Sequence, residues 1–260
     1  MLLIVTASME QELIGLRREM LEIEDATGSH PKVEFRVLGV GPDRAGGALA
    51  ELLDSGVSNI DGVLILGVAG GVDPKLESGD LLLAGRYSLQ NGSVLGAGQA
   101  LRPDPQMFQS AQQAALDLSM PVCTGGALTV DHLVGEPEER EDLRAQYQVD
   151  SVNMEDYRVA EAAQKAGIPF LSARVVLDTA SQRLPGYLPG LAKSPYKVLT
   201  NVLLMPWRIP TMLRLKRQLQ LGQMVLTNFA LAYMKETGVV GNSGGNDGGR
   251  DGNQTPAARE

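Results

Sequence analysis

Through residue 182 the chain alternates short apolar runs with stretches whose apolar residues recur every three or four positions. LLIVTA at 2–7 reads as a buried strand. Residues 9–22 place Met9, Leu13, Leu16 and Met20 on one helical face. VEFRVLG at 33–39 alternates as a strand, Gly39, Gly41 and Pro42 break it, and DRAGGALAELLDSG reads as a helix ending at Gly56. Residues 62–67 form a strand that gives out at Gly67-Val68-Ala69-Gly70-Gly71. LLLAGRYSL is a further strand, followed by a glycine-rich turn region at 89–99. A helix over 105–118, a bent strand or strand pair at VCTGGALTV, and a charged, solvated helix at PEEREDLRAQYQ come next. VDSVN at 149–153 is short and extended, EDYRVAEAAQKAG is a helix closing on Gly167, and IPFLSARVVLD is another apolar strand. The alternation predicts an α/β fold with helices on both faces of its sheet.

Beyond residue 182 the pattern changes. Residues 183–221 hold five prolines, the apolar run VLTNVLLMPW and the basic RLKRQ, and they read as an insertion before a final helix at 218–236. From Gly238 the chain is dominated by Gly, Asn and Asp and reads as a disordered tail, leaving one domain over 1–237. The net charge of -8 argues against a nucleic-acid partner. Cys123 is the sole cysteine and there are two histidines, which exclude an internal disulfide and a zinc cluster and suit a reduced, cytoplasmic setting. The N-terminal apolar run is short and lacks a preceding basic region, so it reads as a strand rather than a signal peptide.

Ligands of α/β sheets sit at the carboxyl ends of strands. Four clusters fall there: Glu10 and Glu12, the 39–44 loop with Gly41 and Arg44, Gly70 and Gly71, and Asp178. Each also has a plain structural reading. The glycines form a turn or offer backbone N–H groups to an anion or a sugar hydroxyl. They match neither a phosphate-binding loop nor a dinucleotide fingerprint. Arg44 at a helix head pairs with phosphate or makes a surface salt bridge. Asp178, after the apolar run 173–177, is a partly desolvated general acid or a helix N-cap. Glu155 accepts hydrogen bonds from vicinal hydroxyls or complements a helix dipole. His132 and Cys123 read as structural, and Met154 as core.

The stretches ASMEQEL (7–13), GVGPDRAGGALAELL (39–53), GVAGGVDPKLESGDLL (67–82), VNMEDYRVAEAAQKAGIPF (152–170) and SARVVLDTA (172–180) together resemble the purine/uridine phosphorylase superfamily, which includes the methylthioadenosine/S-adenosylhomocysteine nucleosidases. GVAGGVDP and the later ASQRLPGYLPGL and PWRIPTMLRLKRQ look most like its hopanoid-associated nucleoside phosphorylases. The resemblance implies a three-layer fold with a central mixed, twisted sheet flanked by helices, a homo-oligomer, and cleavage of a nucleoside N-glycosidic bond without a cofactor. It assigns Asp178 to protonation of the purine, Glu155 to the ribose hydroxyls, Met154 to the sugar face and Leu133 to the place of the base-stacking aromatic. Glu12 matches the water-activating carboxylate of the hydrolytic members. Gly41, Arg44, Gly70 and Gly71 fall beside the nucleophile. Val68 replaces a serine of those hydrolases, and Leu177 replaces the serine before the acid. The leading expectation is therefore phosphorolysis of a 5′-substituted, adenosylhopane-like adenosine, with hydrolysis of methylthioadenosine or S-adenosylhomocysteine as the alternative. A binding protein that has lost turnover is a third. The apolar and basic residues of 198–221 either meet an anionic membrane surface or fold over the core or a subunit contact.

Overall fold

Strand residues alternate between two faces, and here both faces are apolar. Along β1 (Leu2–Ala7), Leu3 and Val5 face one core while Ile4 faces the other. The same division runs along β3 (Ile60–Gly71), where Leu64 and Leu66 oppose Val63 and Ile65. A sheet apolar on both sides must be covered twice. The first core lies under α1 (Ile14–Thr27), α3 (Pro105–Asp117) and the C-terminal α6 (Ile209–Glu236). The second lies under α2 (Pro42–Asp54) and α5 (Asp156–Lys165). The computed structural model describes residues 2–28, 30–57, 59–90, 100–185 and 209–240.

The remaining elements are β2 (Val33–Val37), β4 (Leu81–Leu89), β5 (Val122–Thr129), α4 (Pro137–Tyr147), β6 (Ser151–Asn153) and β7 (Phe170–Asp178). The sheet order is β2-β1-β3-β6-β5-β4-β7, and β3 also pairs with β7. β1 runs parallel to β2 and β3, with Leu3 opposite Val33 and Gly62. β3 runs parallel to β7 from Val63 opposite Phe170, and antiparallel to β6 at Gly70 opposite Val152. The mixed sheet expected from the family resemblance is thus present, and five of its strands close into a ring through β3. A register shift between Ala69 and Gly70 brings Gly70 opposite Asp178.

Several expectations change. β3 does not give out at Gly67; it continues to Gly71, because its last residues find partners in both β6 and β7. VCTGGALTV is one strand whose pairing with β4 shifts register. α4 is not wholly solvated: Arg140 is 1% and Leu143 4% exposed. The final helix starts at Ile209 rather than 218, so the expected insertion ends sooner. Val239 and Val240 are buried in the first core, so the low-complexity tail does not begin at Gly238; its residues 241–260 lie outside the described residues. Of the apolar and basic stretch, 198–208 also lie outside them, and 209–221 are the opening turns of α6. Among the described residues, no helix is long and apolar enough to cross a membrane.

Candidate active site

Two buried groups of charged side chains lie along the end of β3, one at Gly67 and Val68, the other at Gly70 and Gly71. Three residues of strand separate them by about 10 Å.

The first group begins with Glu12, which sits at the end of a short 3-10 turn (Glu10–Glu12) after β1. Its side chain folds back on that turn. Oε2 accepts the backbone N–H groups of Ser8 (3.0 Å) and Met9 (2.9 Å), and Oε1 accepts that of Val68 (3.1 Å). Burial pushes its carboxyl above the ordinary value, nearby Arg174 and the N–H groups pull it down, and the Glu155 charge pushes it up again; the net direction is upward.

Glu155 is the residue before α5, yet its side chain does not cap the helix. Asn153 Oδ1 does that, accepting the N–H groups of Glu155 (3.1 Å) and Asp156 (2.9 Å). Thr129 Oγ1 supports it by donating to Asn153 Oδ1 (3.0 Å) and accepting from Tyr157 N (2.8 Å). Glu155 is thereby released to face the site. Its Oε1 accepts the Gly41 N–H (3.2 Å) and its Oε2 pairs with Arg174 Nη2 (3.3 Å). Gly41 has φ 105°, a conformation glycine adopts without strain, and it turns that N–H inward ahead of α2.

Arg174, in the middle of β7 and 2% exposed, lies behind both glutamates. Its Nη1 donates to the Val68 carbonyl at 3.2 Å. The strand reaches this guanidinium closely only because residue 67 has no side chain: a Cβ there would collide with Arg174 Nη1 and lie 2.9 Å from Glu12 Oε1. Gly67→Ala should therefore cost about 1–3 kcal/mol by overpacking, read as a lower thermal midpoint. Gly71→Ala, whose Cβ would meet neighbours at an ordinary 3.4 Å, should melt close to wild type. Equal midpoints would refute the role given to Gly67.

The second group is Asp178 and Arg140. Asp178 closes β7 at 4% exposure, and among the described residues no helix starts behind it, which removes the N-cap reading. Arg140 Nη2 makes a close ion pair with Asp178 Oδ2 and donates to the Val134 carbonyl (2.8 Å). Arg140 Nη1 donates to the carbonyls of Thr179 (2.8 Å) and Gly71 (3.2 Å). Burial raises the Asp178 carboxyl and Arg140 lowers it; burial is the larger effect and the net direction is upward. Gly70 lies beside this pair, its Cβ position 3.4 Å from Asp178 Oδ2.

The other expected site residues sit at the margins. Arg44 is exposed on the first turn of α2, its side chain folded over Gly39. Met154 is half-buried against the cluster of Val72, Leu128, Val130 and Val152. Leu133 is 41% exposed in the loop between β5 and α4. His132 bridges Asp131 and Glu139 on the surface, in keeping with a structural role. Sequence reasoning missed Arg174, Asp156 and Arg140. Arg174 was signalled by a cation at the centre of an apolar run. Arg140 carried no such signal, since its helix is rich in charge throughout.

A family model described as the phosphorylase superfamily matches residues 29–187. A 5′-methylthioadenosine/S-adenosylhomocysteine nucleosidase of Geobacillus thermodenitrificans is 27% identical over 198 residues, covering 68% of this chain and 84% of the relative. One from Bacillus velezensis is 26% identical over 202 residues, covering 70% and 87%. Among solved structures, a futalosine hydrolase mutant of Helicobacter pylori superposes with TM-score 0.67 at 15% identity, over 90% of this chain and 98% of that one. A nucleosidase of Colwellia psychrerythraea in complex with adenine gives TM-score 0.68 at 20% identity, over 91% and 95%. At these identities the superpositions speak to the fold.

Proposed function

The chain belongs to the phosphorylase superfamily, and on that premise we propose that it cleaves the N-glycosidic bond of a purine nucleoside, with water as the acceptor. The observation that carries this reading is the composition of the first charged group. Glu12 and Glu155 are both buried there, and Arg174, the cation behind them, is also bonded to Asp156. A phosphate dianion entering this space would meet carboxylates in a low-dielectric setting, whereas water would meet a base.

In this reading, Glu155 accepts the ribose hydroxyls, Met154 underlies the sugar and Leu133 borders the base. Glu12 takes a proton from water as its oxygen attacks C1′. The bond from C1′ to N9 breaks, and Asp178 delivers a proton to N7, so the base leaves neutral. The products are free purine and the 5-substituted ribose. In this reading Glu12, in the turn after β1, serves as the base at the sugar, and Asp178, at the end of β7, serves as the acid at the purine. The 5′ substituent in this reading ranges from a methylthio group to an adenosylhopane-like lipid.

A second reading keeps phosphate as the acceptor. It draws on Arg44, the exposed cation at the mouth of the 39–44 loop. The deciding experiment is chromatography of adenine released from adenosine, methylthioadenosine and S-adenosylhomocysteine, each with and without phosphate. Release in phosphate-free buffer is expected. Release that needs phosphate, with ribose 1-phosphate formed, would replace hydrolysis by phosphorolysis. Binding without release from any of them, or from a lipid-linked adenosine, would indicate a binding protein.

A further inference from the structure

Three carboxylates and one guanidinium share the buried space behind Gly67: Glu12, Glu155, Asp156 and Arg174, none more than 5% exposed. The guanidinium is not divided evenly among them. Its Nε and Nη2 both donate to Asp156 Oδ1, at 2.9 and 2.5 Å, while Glu155 receives the longer 3.3 Å contact. Asp156 Oδ2 accepts from Asn153 Nδ2 (3.0 Å) and Ser172 Oγ (2.9 Å). Asp156, fully buried, thus faces four donors and fixes the plane of Arg174. Among the described residues no hydrogen bond joins Arg174 to Glu12, whose partners are the backbone N–H groups of Ser8, Met9 and Val68. The cleavage steps above make no use of Asp156.

We propose that Asp156 is a positioning residue: it binds the Arg174 guanidinium and holds it off Glu12, so that Glu12 serves as the proton acceptor and the pocket offers the nucleophile a base rather than a cation. This rests on the hydrolytic reading of the site. A cation hydrogen-bonded to Glu12 would stabilise the carboxylate and weaken it as a base. The charged side chains acting on Glu12 are Arg174 from β7 and Glu155 from the start of α5, with Asp156 behind Arg174. α6, packed alongside, presents uncharged Gln223, bonded to the Gln11 carbonyl at 2.8 Å.

The test is kcat/KM for adenine release against pH, in phosphate-free buffer, for the full chain and for Asp156→Asn. With Asp156 neutralised, Arg174 is free to turn to Glu12, and the acidic limb should move down by about one pH unit or more. A lower rate at every pH with an unmoved limb would overturn the proposal, since that is what a merely structural role produces. Should Asp156→Asn fail to fold, carbon-13 NMR of the wild-type carboxyl groups decides, with the Glu12 resonance assigned by its loss in Glu12→Gln. Titration of Glu12 above the ordinary glutamate range is expected; titration at or below it would mean that Arg174 acts on Glu12 unhindered, against the proposal. If wild type releases adenine only with phosphate, the hydrolytic reading fails, and the shift of the Glu12 titration between wild type and Asp156→Asn still tests Asp156.

Discussion

Asp178→Asn should lower kcat for adenine release by about 10²–10⁴-fold, the range associated with a positioned general acid, while nucleoside binding measured by calorimetry changes little. Adenine is a poor leaving group as an anion, and the burial that raises the Asp178 carboxyl favours the protonated form that the leaving base needs. Asparagine keeps the shape but has no such proton. The substitution also removes the carboxyl group facing Arg140, which is 1% exposed. An unpaired buried charge is destabilising, though the carbonyls of Val134, Gly71 and Thr179 still receive its N–H groups. Thermal melting of the variant therefore accompanies the kinetics. A folded Asp178→Asn enzyme with near-normal kcat would remove Asp178 from the chemistry. For wild type, kcat/KM should fall on the alkaline side as Asp178 loses its proton, at a pH above the ordinary aspartate range, because the shift is upward.

Glu12→Gln should reduce phosphate-free release by about 10²–10⁴-fold as well, for the opposite reason: it removes the group that accepts the proton of water. The wild-type rate should fall on the acidic side as Glu12 takes up a proton, above the ordinary glutamate range, since burial raises this carboxyl. In Glu12→Gln that limb should disappear from whatever activity is left. The variant also separates the two acceptors. Glutamine can still accept the Val68 N–H or those of Ser8 and Met9, so the turn keeps part of its support. If release by Glu12→Gln is restored in full by added phosphate, the nucleophile is phosphate and Glu12 is not its base.

The alternation of apolar runs determined the order of strands and helices, because a strand buried on both sides must be apolar throughout while its covering helices need only one apolar face. That is why LLIVTA, VLILG and FLSARVVLD stand out from the charged segments between them. The candidate acids were legible for a related reason: Asp178 closes such a run and Glu12 stands in the turn that follows one, where a carboxyl reaches the end of the strand but stays in the protein interior. What a linear pattern does not carry is which polar group meets which. The stretch from Gly67 to Gly71 drew attention as a cluster, but the sequence does not tell that the missing side chain of Gly67 lets the strand lie against Arg174, a residue more than 100 positions later. Glu155 reads from the sequence either as an acceptor for vicinal hydroxyls or as a complement to a helix dipole; in the fold Asn153 takes the helix cap and leaves the Glu155 side chain to Gly41 and Arg174. Arg140 looks like one more charge on a solvated helix, and only the packing of α4 against the ends of β3 and β7 buries it beside Asp178. The chain by itself determined the scaffold and most of the carboxyl groups. Tertiary structure decided their partners, because burial and pairing, which fix the proton affinity of a carboxyl, arise only when distant segments are brought together.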